Sequence, residues 1–388
     1  MYLSEVAEYW SFWNKPIPKT VTRMVKLPSL LDSKLVLAIQ GVRRSGKSTL
    51  LLQIIKKQKL DPKNCLIVNF EDPRLANDLN AKTLDNLVSF FRDLRGPDAN
   101  LYFFFDEIQN VENWHKWIHT QLERSKNNYY IVTGSNASML SRELGSKLTG
   151  RHVSVTLFPF SYEERKEIEK NLSVEEYLKK GGFPGTFNYP EPDELLRQYY
   201  DDIIEKDILS RIGITNPRAL RQLVKILFES SGSESSFRKL AGSVGLSNDT
   251  ASSYVSYCEN AYLIFSCPYF SFSEKQRVRR NNKYYPVDSA LRRASITKSG
   301  FDIGKDFELM FFLALKRRFK DVYYWKGKSE VDFVVQNSRG IWPLQVSIEA
   351  PKDRHSLALE EFYSNFSMAN KEHFVNPDNF MEVIEEIS

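Results

Sequence analysis

Through the first 160 positions, apolar runs recur that each end on a polar or acidic tip. "KLVLAIQ" ends at Gln40, "NCLIVNFED" at Glu71 and Asp72, "NLYFFFDE" at Asp106 and Glu107, and "YYIVTGSN" at Gly134, Ser135 and Asn136. A continuous apolar run of this length reads as a strand buried on both faces, the habit of parallel sheets. The first run predicts a strand over Leu35–Gln40, and the apolar spacing after it predicts a helix from Ser48 to about Lys57.

The pattern changes after residue 160. From Ser161 to about Ser210 the chain is charged and helical, broken by "KKGGFPGTFNYPEP", and Leu195, Leu196, Tyr199, Ile203, Ile204 and Ile208 form a stripe at helical spacing. "SSFRKLAGSVGLSNDTASSYVSYCENAYLIFSCPYFS" predicts a helix, a tight turn at Gly245, a second helix over about Asn248–Asn260 and a strand. A return strand in "KYYPV" completes a hairpin around the loop "SEKQRVRRNN". The last stretch offers an amphipathic helix, "GKDFELMFFLALKRRF", and two strand segments, "VYYWKGKSEVDFVVQ" and "IWPLQVSIEA". The fold class read from this order is α/β: a P-loop parallel-sheet domain over 1–160, a helical lid or linker over 161–215, a winged helix over 216–294 and a C-terminal α/β domain over 295–388.

With 388 residues, of which 42% are hydrophobic, the chain is long enough for several cores. The net charge of +5 permits a polyanionic partner without demanding one. Three cysteines without metal-ligand spacing favour a reducing compartment, so the cytoplasm is the expected location. The longest apolar runs, such as "LMFFLAL", are too short to span a bilayer, and no membrane partner is expected.

"GVRRSGKST" carries the sharpest chemistry. Gly41, Val42, Arg43, Arg44, Ser45, Gly46, Lys47, Ser48 and Thr49 fit the phosphate-binding pattern G-x-x-x-x-G-K-[ST] between a strand and a helix. The backbone N–H groups would cradle phosphates, Lys47 would neutralise them, and Ser48 would ligate Mg²⁺. Asp106, at the end of an interior strand, is the second expected Mg²⁺ holder, and Glu107 the expected general base for ATP hydrolysis. Asn136 would report on the terminal phosphate, or else cap the next helix. Arg151 is a candidate arginine finger acting within its own subunit or on a neighbour, or else a salt-bridged surface arginine.

Taken together, "GVRRSGKST", "NFEDPRL", "FFFDEIQN", "TGSNASML", "LTGRHVSVTLFPFSYEE", "YLKKGGFPG", "YYDDIIEKDILSR" and "KYYPVDSALR" resemble archaeal and bacterial AAA+-like P-loop ATPases whose C-terminal half is a domain of unknown function. The resemblance implies ATP binding and slow Mg²⁺-dependent hydrolysis, then a winged helix and a nuclease-like domain. In that last domain Glu308 and Asp332 stand where a restriction-endonuclease-like fold gathers metal, and with Glu330 they form either a weak cation site or a set of solvated or paired carboxylates. The third element, however, reads Gln345-Val346-Ser347, so catalysis there is not expected and at most a weak cation site remains. Lys275, Arg277, Arg279, Arg280 and Lys283 are read as a basic wing tip for duplex DNA over 275–283. The helix Asn248–Asn260 lacks basic residues, which leaves a nucleotide-held switch for a protein partner, a homo-oligomer and, third, an ATP-gated nuclease as alternatives.

Overall fold

The apolar runs of the first part of the chain are strands of one parallel sheet. A computed structural model describes residues 2–124, 126–135, 150–210, 213–214, 216–297, 302–349 and 353–388. The chain divides into two units, residues 1–158 and 159–388.

The first unit runs α1 (Tyr2–Trp10), β1 (Val36–Gln40), α2 (Lys47–Lys57), β2 (Cys65–Asn69), α3 (Ala81–Arg95), β3 (Leu101–Asp106), α4 (Trp114–Arg124), β4 (Asn128–Gly134) and β5 (His152–Thr156). Its five strands lie in the order β2-β3-β4-β1-β5, and every neighbouring pair is parallel. Side chains alternate between the two faces of a strand, so β3 feeds two cores. Phe103 and Phe105 pack with Leu84, Leu87 and Phe91 of α3 and Trp114, Trp117 and Ile118 of α4. Phe104 packs on the other face with Leu50, Leu51, Ile54 and Ile55 of α2. Each fully buried aromatic of this kind contributes roughly 1.5–3 kcal/mol over leaving it in water.

Parallel register brings the polar tips to one edge. Asn69 lies opposite Asp106, and Gln40 lies opposite Gly134. Ahead of β1, α1 buries Val6 and Ala7, the Trp10 Nε1–H donates to Asp72, and the Trp13 Nε1–H donates to the Cys65 carbonyl. The segment ahead of β1 is thus tied to the first unit through Trp10 and Trp13, a role its sequence does not announce.

The second unit begins with helices α5 (Tyr162–Lys166), α6 (Val174–Lys180) and α7 (Pro192–Asp202), the last continuing as a π-helical stretch, Ile203–Leu209. The stripe read as a packing face is buried at Leu196, Tyr199, Ile203, Ile204 and Ile208. Next come α8 (Pro217–Glu229), β6 (Glu234–Ser235), α9 (Phe237–Val244), α10 (Asn248–Asn260), β7 (Ile264–Cys267), α11 (Glu274–Arg279), β8 (Asn282–Pro286) and α12 (Ser289–Ser295). Gly245 closes α9 in the left-handed region at φ 67°, where its lack of a Cβ removes the steric penalty, and α10 follows. Strands β6, β8 and β7 form an antiparallel sheet in that order.

The chain ends with α13 (Ile303–Arg318), β9 (Val322–Lys326), β10 (Glu330–Asn337), β11 (Gly340–Val346), α14 (Asp353–Asn365), β12 (His373–Val375) and α15 (Phe380–Ile387). The sheet order is β12-β11-β10-β9, antiparallel except where β12 joins β11 in parallel.

Two sequence expectations fail here. The helix read as amphipathic, α13, is buried without interruption from Leu309 to Leu315, so it is an interior helix covered on every side. The basic stretch leaves Lys275, Arg279 and Arg280 exposed but does not put Lys283 at a wing tip. Residues Glu274–Arg279 form the helix α11, and Lys283 is 1% exposed within β8, its ammonium turned inward onto Glu330. Strand geometry sets that direction, because β8 pairs on both sides and its alternate side chains must enter the interior.

Candidate functional site

The loop between β1 and α2 sits at the carboxyl edge of the parallel sheet, where open α/β sheets bind their ligands. Gly41 makes the first turn at φ 151°, and a Cβ there would fall 2.1 Å from the Leu157 carbonyl oxygen. Gly46 has φ 98° and stands at the head of α2 with no side-chain cap, and the first turn of that helix carries no acid. Its leading N–H groups are therefore open to an anion. The Ser45 hydroxyl is buried and makes no hydrogen bond. Val42 and Arg43 are buried, whereas Arg44, at φ 70°, and Thr49 face solvent.

Lys47, 4% exposed, donates from Nζ to the Gly41 and Val42 carbonyls at 3.2 and 3.3 Å and lies 3.5 Å from Glu107 Oε1. Ser48 Oγ donates to Asp106 Oδ2 at 2.6 Å. The residues expected to hold phosphate and metal are thus brought together by the sheet. The sheet order explains how: β4 lies between β1 and β3, so the loop on β1 and the acids on β3 face each other across one strand.

That intervening strand supplies a residue the sequence reading missed. The Thr133 hydroxyl accepts the Glu107 backbone N–H at 3.0 Å and donates to Asp106 Oδ1. It fixes both acids at once, including Glu107 in its left-handed backbone at φ 54°. Asn69 Nδ2 also reaches Asp106 Oδ2, at 3.3 Å. Burial first, and the Glu107 charge second, push the Asp106 carboxyl up to about 6. The signal in the sequence is the polar tip of each apolar run, and Thr133 stands ahead of Ser135 and Asn136, inside the run rather than at its tip.

Arg23 was missed as well, since no pattern marks it. Its guanidinium, on the segment ahead of β1, donates to the Ser45 carbonyl at 2.8 Å and the Phe158 carbonyl at 2.7 Å, holding the loop from beneath. Arg43 forms a 3.0 Å ion pair with Glu71, tying the loop to the end of β2.

One expected residue, Arg151, is not brought to the loop. Asn136 lies outside the described residues. Arg151 precedes β5 at the opposite edge of the sheet, where it pairs with Glu123 at 3.2 Å. Four residue steps of β5 at about 3.3 Å each separate that edge from the loop, roughly 13 Å. Among the described residues no group of three or more His, Cys, Asp or Glu side chains is arranged to hold a metal ion, and no helix is long and apolar enough to cross a membrane.

With this geometry, a family model described as an AAA domain matches residues 33–166, and one described as a domain of unknown function (DUF8612) matches residues 171–301. An uncharacterised protein of Haemophilus influenzae is 31% identical over 376 residues, covering 91% of this chain and 93% of its own. An uncharacterised protein of Methanocaldococcus jannaschii is 30% identical over 384 residues, covering 91% of this chain and 83% of its own. Among solved structures, the Walker-type ATPase of Pyrococcus abyssi aligns with a TM-score of 0.45 at 14% identity, over 67% of this chain and 90% of that one. The first unit has the parallel α/β core of P-loop ATPases, and the chain, whose AAA domain precedes a domain of unknown function, belongs to the family of these Haemophilus and Methanocaldococcus proteins.

Proposed function

We propose that the chain binds ATP with Mg²⁺ on its first unit and hydrolyses it slowly. One observation carries the reading: Ser48 and Asp106 meet at 2.6 Å beside an uncapped helix start, with Lys47 buried between loop carbonyls and Glu107. The N–H groups of residues 45–49 and the Lys47 ammonium would hold the phosphates, and Ser48 and Asp106 would hold the metal. Mg²⁺, when bound, supplies positive charge between the terminal phosphates, where negative charge builds during transfer. Glu107 would take the proton of the attacking water, and Thr133 keeps that carboxylate and Asp106 in fixed relation. Arg151, being at the other edge of the sheet, would reach phosphate only on a neighbouring copy, and Asn136 keeps its proposed role as phosphate reporter.

ATP turnover of wild type, Lys47→Ala and Glu107→Gln tests this. Lys47→Ala should abolish nucleotide binding, while Glu107→Gln should bind normally and lose about 100-fold or more in turnover. Undiminished turnover in both variants would sink the reading.

For the second unit we propose a winged helix over 216–294 and an inactive nuclease-like domain over 295–388, answering to nucleotide state on the first. A protein partner now competes with duplex DNA as its target. Of the five basic residues read as a wing, Lys283 is buried, Arg277 pairs with Glu274 at 3.3 Å, and Arg280 stacks 4.8 Å from the Tyr269 ring centroid. Duplex binding that weakens steeply with salt and depends on Lys275 and Arg279 would favour DNA; absence of binding at low salt would favour the partner.

A further inference from the structure

Three half-buried carboxylates of the second unit, Glu308 on α13 and Glu330 and Asp332 on β10, bear by charge on a residue from another sheet, and Glu330 touches it. Lys283 of β8 is 1% exposed, and its Nζ donates to Glu330 Oε1 at 2.5 Å. Glu308 accepts the Tyr285 Oη–H at 2.6 Å, and Asp332 Oδ2 accepts the Val346 N–H at 2.8 Å. The charges of Glu308, Glu330 and Asp332 together hold the Lys283 ammonium above its ordinary range, although burial acts in the opposite direction.

Gln345 marks the same place independently. Phe333 pairs with Leu344 between β10 and β11, so Gln345 comes one step on, across from Asp332 and on the same face. Its side chain is 4% exposed, and Oε1 makes no hydrogen bond. A buried acceptor without a donor is costly, and one on a residue paired across from a carboxylate is suited to a cation.

In a nuclease of the kind this part of the sequence resembles, these acids would gather a divalent metal. The residues present do not fit that ion, because an amide replaces the third acid and a lysine ammonium already provides the positive charge. We propose that Lys283 is the resident cation of this pocket, joining the three-stranded sheet to the four-stranded one and keeping divalent metal out. A strand-borne ammonium costs no ligand-binding equilibrium, so the second unit keeps its fold without metal. Removing the ammonium leaves the carboxylates without their counter-charge, and although they are not arranged as a metal site they then attract a hard cation.

Terbium(III) chloride tests this on the full chain without nucleotide, because Tyr285 beside Glu308 can sensitise terbium luminescence at the pocket. Wild type should show little such signal. Lys283→Ala and Lys283→Met should bind terbium about tenfold more tightly or better, and adding Asp332→Asn should remove that gain. Equal affinity in wild type, or no gain in folded Lys283 variants, would overturn the proposal. If the Lys283 variants are recovered unfolded, they are refolded with and without millimolar MnCl₂. Recovery only with manganese supports the resident-cation role, and failure to recover with it overturns that role. Neither outcome depends on ATP binding at the first unit.

Discussion

Thr133 shows how much one hydroxyl can organise. It bridges the backbone of Glu107 and the carboxylate of Asp106, the two acids on which metal and water would depend. Thr133→Val keeps the shape and deletes the bridge, so turnover should fall roughly tenfold and stability by about 1–3 kcal/mol as the buried Glu107 N–H loses its acceptor, and Thr133→Ser should restore most of both. Turnover unchanged in the valine variant would show that the acids are held by other means. Asp106 itself is kept at the expense of stability. Its carboxyl titrates near 6 in the folded chain, above the ordinary aspartate value, so its favourable contribution is complete below about pH 4 and is lost as pH rises through 6. Without nucleotide or metal, Asp106→Asn should therefore stabilise the protein by about 1–3 kcal/mol at pH 8, with the gain shrinking as pH falls to 5. Denaturant midpoints at the two pH values measure this; a destabilised variant at pH 8 would contradict it.

At the scale of elements, the segment before β1 belongs to the site although it contains no motif. Arg23 carries the load by donating to the Ser45 and Phe158 carbonyls. Losing two charge-assisted hydrogen bonds costs on the order of 1.5–3 kcal/mol each when their acceptors stay buried. Arg23→Ala should thus weaken Mg²⁺–ATP binding about tenfold in calorimetry, and Arg23→Lys should recover part of it. Full affinity in the alanine variant would reduce Arg23 to a packing residue. Gly41 is a second such point, where β5 runs into Leu157. Any Cβ at Gly41 would collide with the Leu157 carbonyl, 2.1 Å away, so Gly41→Ala should lower the melting temperature and nucleotide affinity together.

For the whole molecule, two units with separate cores predict an uneven response to ligand. Nucleotide at 100 times its dissociation constant stabilises what it binds by about 2.7 kcal/mol. Hydrogen exchange with Mg²⁺–ATP should slow most at residues 41–49 and along β1, β3 and β4; slowing confined to residues 159–388 would move the nucleotide to the other unit. The sequence alone determined the strands, the phosphate loop and the acids Asp106 and Glu107, because buried parallel strands and loop glycines leave local, periodic signals. It also located Gly245 and the helix Asn248–Asn260 by turn and capping chemistry. Only the tertiary structure decided what Thr133, Arg23 and Lys283 do. Their partners lie 22 to 135 positions away, and no local pattern tells a buried lysine facing carboxylates from a lysine at a basic wing tip. Local periodicity specifies which face of an element is covered, whereas pairing of polar groups depends on which elements meet, and that is a property of the assembled fold.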